Sequence, residues 1–210
     1  MHPTDTVLKA IADHGHMISA MTAERSFAAD IARAAGTIAS SLRSGGGVLV
    51  FGNGGSAADA QHISGELVGR FAMERKGLRA VALTTDASVM TSLSNDYGYD
   101  AIFARQIEAL GRPGDIALAI STSGNSPNIL RGIETAKKNG MTVIGLSGRG
   151  GGLMRDICDI LIVIPSDDTP RIPQRHLRQF FHQSREYPDL AVVARLVGFD
   201  GVDAHIPHAH

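Results

Sequence analysis

A loop of short polar side chains, Ser121-Thr122-Ser123-Gly124-Asn125-Ser126, separates an apolar stretch from Pro127. Proline suits the first turn of a helix, so the loop is expected to end at a helix start, with its unpaired N–H groups and positive dipole end. Hydroxyl donors surround the same point, and Gly124 lets the backbone approach a ligand closely. Ser126 alone would suffice as a helix cap. Five polar residues around a glycine exceed that need, and they predict a pocket for a dianionic phosphate.

A second glycine-rich turn, Gly52-Asn53-Gly54-Gly55-Ser56, also lies between an apolar run and a helical pattern. Its spacing fits neither the dinucleotide fingerprint G-x-G-x-x-G nor a P-loop, which needs Gly-Lys-Ser/Thr. Neither turn offers a long basic side chain for a polyphosphate. The two turns together therefore favour a monophosphate ester as the ligand.

The helical segment after this turn carries His62, Glu66 and Arg70. Residues four apart share one face of a helix, so the first two could hold a metal or a substrate together. A solvent-exposed pair of this kind is also common, and the sequence leaves both interpretations open. Two further polar segments, Thr84–Asp86 and the turn expected at Asn95–Gly98, could contact sugar hydroxyls or simply cap a helix.

Short, continuously apolar runs alternate with helical patterns from Gly47 onward, which predicts a parallel sheet with right-handed crossovers. The expected fold is an α/β domain with five parallel strands flanked by helices and an N-terminal helical extension. The predicted strands are 48–51, 79–83, 115–120, 142–146 and 160–164. The predicted helical segments are 5–44 with a break near 22–24, 56–72, 87–95, 100–110, 126–139, a short turn at 151–156, 174–186 and 189–197. The expected units are 1–46, two helices that could pack on the domain or on another subunit, 47–172, the sugar-phosphate-binding domain, and 173–210, a C-terminal helix and tail.

Composition narrows the class of partner. The 210 residues carry a net charge of −1 with both signs mixed throughout, which argues against a nucleic-acid or membrane surface as the main partner. The single cysteine, Cys158, excludes an internal disulfide and is expected to be inert core, which fits a reducing cytoplasm. The start of the chain lacks a signal-peptide pattern, so a cytoplasmic protein is predicted. The histidines at 205, 208 and 210 are expected to be an incidental cluster.

Several of these motifs occur in an order that resembles a known family. They are Phe51-Gly-Asn-Gly-Gly-Ser56, Asp59-Ala-Gln-His62 followed by Glu66, Ser94-Asn-Asp96, and Ile120-Ser-Thr-Ser-Gly-Asn-Ser126. The chain up to about residue 172 resembles the sugar isomerase (SIS) family and, within it, the phosphoheptose isomerases. The resemblance implies isomerisation of sedoheptulose 7-phosphate to D-glycero-D-manno-heptose 7-phosphate through an enediol, the first step of lipopolysaccharide heptose biosynthesis. It also implies a homotetramer with active sites at subunit interfaces.

The resemblance assigns roles to individual positions. Glu66 matches the catalytic carboxylate, and His182 is expected to be its proton-transferring partner. Zinc, as a weak or optional cofactor, would be held by His62, Glu66, Gln174 and His182. The substrate-binding positions are Asn53, Gly54, Gly55, Ser56, Arg70, Asn95, Asp96, Ser121, Thr122, Ser123, Ser126 and Gln174.

The sequence departs from the family after Ile172, where Pro173 interrupts the expected motif. Gln174 and His182 keep the family's eight-residue separation, a little over two helical turns, and His176 is an alternative ligand. The chain beyond His182 does not resemble the family's closing helix. Two other functions stay open: a non-catalytic adaptor of this fold, such as one that binds the replication initiator DnaA, or an isomerase of another sugar phosphate. Glu66 favours the enzyme, because the matching position of that adaptor is not acidic.

Overall fold

A computed structural model describes residues 2–69 and 75–165, and these form a three-layer α/β/α structure. The helices are α1 Pro3–Ala23, α2 Arg25–Arg43, α3 Gly55–Val68, α4 Ala87–Tyr97, α5 Ile102–Leu110, α6 Pro127–Lys138 and α7 Met154–Ile157. The strands are β1 Val48–Gly52, β2 Ala80–Ala82, β3 Ile116–Ser121, β4 Thr142–Ser147 and β5 Ile160–Val163. Two 3-10 helices, Tyr99–Ala101 and Arg149–Gly151, precede α5 and α7.

The five strands form one sheet in the order β2-β1-β3-β4-β5, and every pairing is parallel. This confirms the predicted fold class, and each strand lies within two residues of its predicted bounds. Because the chain runs from β1 to β2 in one direction and from β3 to β5 in the other, the order reverses between β1 and β3. Ligands of open parallel sheets bind at such a reversal, beyond the carboxyl ends of the strands.

Successive residues of a strand pack into two separate hydrophobic cores, one on each face of the sheet. Val48 and Val50 of β1 contact the cluster that includes buried residues of α1, α2 and α3. Leu49 and Phe51, the intervening residues, contact the cluster formed with α5, α6 and α7. All five residues of β1 are buried, as expected for a strand covered on both faces.

The two N-terminal helices differ in how much of their length is buried. Residues of α2 are buried along its whole length, from Phe27 to Ala39, whereas α1 buries only Met17 and Met21. The first half of α1 exposes Val7, Leu8 and Ile11, each more than half accessible. The division of the chain at residues 46 and 172 stays a prediction, and the unit 173–210 lies outside the described residues, as do the predicted helices 174–186 and 189–197.

Three element boundaries differ from prediction. Helix α4 continues through Tyr97 and ends at Gly98, whose φ of +82° suits a helix terminus, so Asn95 and Asp96 lie in the helix rather than in a turn. Helix α3 ends at Val68, short of the predicted residue 72. Arg75 donates hydrogen bonds to the carbonyl oxygens of Glu66 and Leu67 at 2.8 and 2.9 Å, which satisfies two acceptors at that helix end. The predicted turn at 151–156 is a 3-10 helix followed by the single turn of α7.

Cys158 lies half-buried beside the core, as the sequence predicted for an inert residue. Burial, reinforced by the negative charge of Asp159, raises the pKa of its thiol to about 12. The reactive thiolate is therefore scarce at neutral pH. Across the part of the chain that the structure describes, no helix is both long enough and apolar enough to cross a bilayer.

One buried carboxylate joins the amino ends of three strands. Asp115, 1% exposed and next to β3, accepts hydrogen bonds from the backbone N–H groups of Gly47 at 2.9 Å and Arg112 at 3.1 Å. The guanidinium of Arg79, which precedes β2, donates to the same carboxylate and forms an ion pair with it. Gly47 precedes β1, and a side chain there would collide with that guanidinium. Asp115 thus holds the edge of the sheet opposite the ligand loops.

Replacing Asp115 by Ala should lower the free energy of unfolding by about 2–3 kcal/mol, because the buried Gly47 N–H and the part-buried Arg112 N–H lose their acceptor and the ion pair with the partly exposed Arg79 is broken. Urea denaturation followed by circular dichroism measures the change. Asp30→Ala is the control, since Asp30 pairs with Arg33 on the surface and such a pair contributes about 0–1 kcal/mol. Equal losses in the two variants would contradict the role of Asp115.

Candidate functional site

The two polar loops leave the sheet side by side. Gly52, the last residue of β1, is paired in register with Ile120 of β3, so Asn53 and Ser121 emerge at adjacent positions. This is the point where the strand order reverses. The structure therefore brings together the two loops that the sequence singled out separately.

The loop from Ser121 to Ser126 opens onto the start of α6. Ser126 occupies the N-cap position, but its side chain makes no capping hydrogen bond; its Oγ lies 3.3 Å from the Oγ of Ser121. Pro127 takes the first helical position, as predicted. Thr122 and Ser123 are half-buried beside the helix start, whose positive dipole end favours an anion. The arrangement matches a phosphate pocket better than the alternative that Ser126 serves only as a side-chain cap.

A segment that sequence reasoning did not single out braces this loop. The carbonyl of Gly124 accepts from the Met154 N–H at 3.1 Å, and the side-chain oxygen of Asn125 accepts from the Leu153 N–H at 2.9 Å. Asn125 thus orients the loop through the protein itself. The sequence signal that could have revealed the brace is the run of three glycines at 150–152, all of which have positive φ.

Gly124 is required by this close approach. Its φ is +67°, a conformation that L side chains rarely adopt, and an added Cβ would collide with the carbonyl oxygen of Gly151. The glycine therefore allows two loops to touch backbone to backbone. The sequence predicts that Gly124 lets the backbone approach the ligand closely. In the structure, Gly124 lies close to the neighbouring loop instead.

The turn after β1 is positioned by contacts across the site. Gly54, with φ of +57°, is the N-cap residue of α3. Ser56, in the first turn of that helix, lies against Gly52. The side-chain amide of Asn53 exchanges two hydrogen bonds with that of Asn128, at 2.9 and 2.8 Å. The hydroxyl of Tyr99 donates to the Asn53 side-chain oxygen at 3.1 Å. Asn128 and Tyr99 were not predicted as site residues.

His62 and Glu66 share one face of α3, as their spacing predicted. The His62 Nε2 and the Glu66 Oε1 are 4.0 Å apart, with 44% and 23% of the side chains exposed. Tetrahedral zinc with bonds of about 2.0–2.1 Å places its ligand atoms about 3.3 Å apart, so these two donors need to move by less than 1 Å to share an ion. Within residues 2–69 and 75–165, no group of three or more His, Cys, Asp or Glu could hold a metal. The donor chemistry of His62 and Glu66 fits half of the expected zinc site.

Asn95 and Asp96 lie exposed in the last turn of α4, where the Asn95 amide donates to the Asp96 carboxylate at 2.8 Å. Of the other candidates for sugar contact, Asp86 caps α4 by accepting from the Val89 N–H at 3.0 Å. The capping interpretation therefore accounts for Asp86. The hydroxyl of Tyr99, just beyond α4, joins this region to Asn53 by a hydrogen bond.

Some predicted site residues lie outside the described part of the chain. They are Arg70, Gln174, His176 and His182; the terminal histidines, which are expected to be incidental, lie outside it as well. Their roles stay predictions.

Replacing Gly124 by Ala should weaken phosphate binding about tenfold, because a left-handed alanine costs about 1–2 kcal/mol and the loop must also move away from Gly151. Titration calorimetry measures the dissociation constant. Gly36→Ala in α2 is the control, since a Cβ there meets nothing within 4 Å. Unchanged affinity in the Gly124 variant would show that the shape of this loop does not matter for binding.

Comparison with known proteins agrees with this geometry. Residues 12–148 match the family model of the SIS domain. The phosphoheptose isomerase of Burkholderia pseudomallei strain 1710b is 50% identical over 171 residues, 81% of this chain and 87% of that protein. The phosphoheptose isomerase of Rhodospirillum rubrum is 56% identical over 147 residues, 70% of this chain and 78% of that protein.

A solved structure extends the similarity to the fold. The phosphoheptose isomerase of Francisella tularensis superposes with a TM-score of 0.81 at 36% identity, covering 94% of this chain and 98% of that one. This chain has a parallel sheet with two polar loops at its reversal point, and its relatives share this level of similarity over most of the sequence. Together these findings lead to one conclusion. The chain belongs to the SIS-domain family and, within it, to the phosphoheptose isomerases.

Proposed function

We propose that this protein isomerises sedoheptulose 7-phosphate to D-glycero-D-manno-heptose 7-phosphate, the first step of lipopolysaccharide heptose biosynthesis. The observation that carries the proposal is the position of Glu66. It lies in the last turn of α3, the helix that follows the Asn53–Ser56 turn, on the same face as His62, and 23% of its side chain is accessible. The family and its similarity to phosphoheptose isomerases support the same substrate.

The reaction moves a proton between two neighbouring carbons. A base removes a proton from C1 of the ketose, an enediol forms, and the proton is returned to C2, while a second proton moves from O1 to O2. Glu66 has the chemistry of the carbon base, since a carboxylate accepts a proton and returns it to the adjacent carbon. His182, through the family resemblance, is the expected group that moves the proton between O1 and O2.

The phosphate is the anchor of the substrate. The hydroxyls of Ser121, Thr122, Ser123 and Ser126 surround the start of α6, where backbone N–H groups and the helix dipole favour a dianion. Holding the phosphate at C7 fixes the far end of the sugar, so that C1 and C2 can be presented to the base in a restricted geometry. Asn53, Gly54, Gly55 and Ser56 line the neighbouring turn.

Zinc is proposed as an optional cofactor, held by His62 and Glu66 together with Gln174 and His182. A bound ion of this kind would supply a Lewis acid that polarises the carbonyl and stabilises the negative charge of the enediolate. A carboxylate that ligates a metal is a weaker base, so the acid–base role of Glu66 competes with metal binding. Gln is an unusual zinc ligand, which supports weak rather than permanent binding.

Two alternatives are less well supported. A non-catalytic adaptor has no need of an acidic residue at position 66, whereas this chain has Glu66 there, 23% exposed and beside His62. An isomerase of a different sugar phosphate would share the phosphate loop, because that loop contacts the part of the ligand that all such substrates have in common. The identity of more than 50% to a phosphoheptose isomerase over 147 residues favours the heptose.

Glu66→Gln should abolish conversion of sedoheptulose 7-phosphate, because an amide cannot accept the C1 proton, while calorimetry still detects binding of the sugar phosphate. Product formation is followed by chromatography of the aldoheptose phosphate, with EDTA in one series and added zinc in another. Glu108→Gln, which alters an exposed partner of Arg105, should keep full turnover. Turnover retained in the Glu66 variant would remove that residue from the mechanism. No conversion by the unaltered protein in either series would favour the adaptor.

The active assembly is proposed to be a homotetramer with sites at subunit interfaces, supported by the exposed apolar residues of α1. Val7, Leu8 and Ile11 are 58%, 59% and 63% accessible and lie on neighbouring turns. An apolar helical surface of this kind is expected to be covered in solution.

The double substitution Leu8→Ser and Ile11→Ser should therefore reduce the mass measured by light scattering below that of four chains, because apolar area that subunit contact would bury becomes polar. Lys9→Ser is the control, since Lys9 pairs with Asp13 on the surface of the same helix. A tetramer that persists in the double variant would contradict a role for α1 in assembly.

A further inference from the structure

Asn128 is a buried polar residue at the second position of α6. It is 1% exposed and lies across the site from the turn after β1. Its side-chain amide accepts a hydrogen bond from the Asn53 Nδ2 at 2.9 Å and donates one to the Asn53 Oδ1 at 2.8 Å. The pair joins the phosphate-binding helix directly to the turn from which α3, with Glu66, begins.

Tyr99 supplies the third contact. Its hydroxyl donates to the same Asn53 Oδ1 at 3.1 Å, from the 3-10 helix that follows α4. The ring of Tyr99 is about half exposed, so this residue reaches the site from the surface. Two other segments of the chain, the start of α6 and the 3-10 helix after α4, therefore converge on the side chain of Asn53.

These hydrogen bonds determine which groups of the Asn53 side chain stay available to a ligand. A primary amide has two N–H donors and one oxygen with two lone pairs. In Asn53 both lone pairs accept bonds, from Asn128 and Tyr99, and one of the two N–H groups donates to Asn128. A single N–H donor remains, on a residue that is half-buried in the site.

We propose that Asn128 and Tyr99 are positioning residues that orient the Asn53 amide, so that Asn53 offers a donor and no acceptor to the substrate. Asn53 then recognises an acceptor oxygen of the sugar phosphate. This inference rests on the proposed function for the identity of the ligand, but not for the orientation of the amide.

Asn128→Asp is the sharpest variant. The carboxylate still accepts from Asn53 Nδ2 but has no N–H for Asn53 Oδ1, and the two facing oxygens repel each other. The Asn53 amide must then turn, and its donor is withdrawn from the ligand. We expect affinity for sedoheptulose 7-phosphate to fall about tenfold, with KM rising in parallel and kcat within about twofold, because the lost contact is made equally before and during the reaction.

Calorimetry with sedoheptulose 7-phosphate is carried out on the Glu66→Gln background, where binding is read without turnover, and KM and kcat are measured with Glu66 present. Asn128→Asp is compared alone and combined with Asn53→Ala. A residue that acts through Asn53 should have no further effect once that amide is absent. A tenfold loss that persists in the combined variant, or a fall in kcat with unchanged KM, would overturn the proposal.

Tyr99→Phe tests the same idea with little risk to folding, since it removes one hydroxyl from a half-exposed ring. We expect affinity to fall about two- to threefold, because one of the two donors to Asn53 Oδ1 is lost. Tyr97→Phe is the matched control: Tyr97 is similarly exposed, and its ring contacts Arg105 instead. Equal effects of the two tyrosine variants would overturn the role of Tyr99. An inactive but ligand-binding protein would refute the proposed reaction alone, because the calorimetric comparison of Asn128 and Asn53 would still stand.

Discussion

The parallel pairing of β1 with β3 at the centre of the sheet is the constraint on which the site depends. These strands are far apart in sequence, with β2, α3, α4 and α5 between them, yet Gly52 and Ile120 end up in register. Strands of one direction end at one edge, and the helices that follow β1 and β3 lie on opposite faces. The loops between must diverge there, and the gap between them is a place where both can offer polar groups to one ligand.

The phosphate site proposed at residues 121–126 would rely on backbone geometry more than on charge. Its donors are hydroxyls and the N–H groups of a helix start, which are weak individually and effective only when several point to one spot. Shape is consequently critical, and the contact between Gly124 and Gly151 sets it. A loop of this kind would suit any phosphorylated sugar, so the proposed reaction depends on the groups beyond the phosphate, above all on Glu66 of α3.

The two loops act as a unit because they are joined by amide groups. The reciprocal pairing of Asn53 with Asn128 links the anchor for the phosphate to the helix that carries the carboxylate. The pair fixes the two loops relative to each other, which suits the proposed reaction, because C1 and C2 must be held against a base while the phosphate is fixed some distance away. At the opposite edge of the sheet, Asp115 fixes the amino ends of three strands and keeps the register that the site requires.

The sequence alone determined the order of helices and strands, the parallel sheet and the two ligand loops, because apolar periodicity and the punctuation by Gly, Ser and Pro are local properties. It also placed His62 and Glu66 on one helical face, since that follows from helix geometry. Only the tertiary structure decided that Ser126 contacts Ser121 instead of capping α6, that Asn125 is occupied by Leu153, and that Asn128 and Tyr99 orient Asn53. Those contacts join residues up to 75 positions apart. An isolated Asn or Tyr carries no sequence signal of its partner, because the partner is selected by how the strands pair and the helices pack.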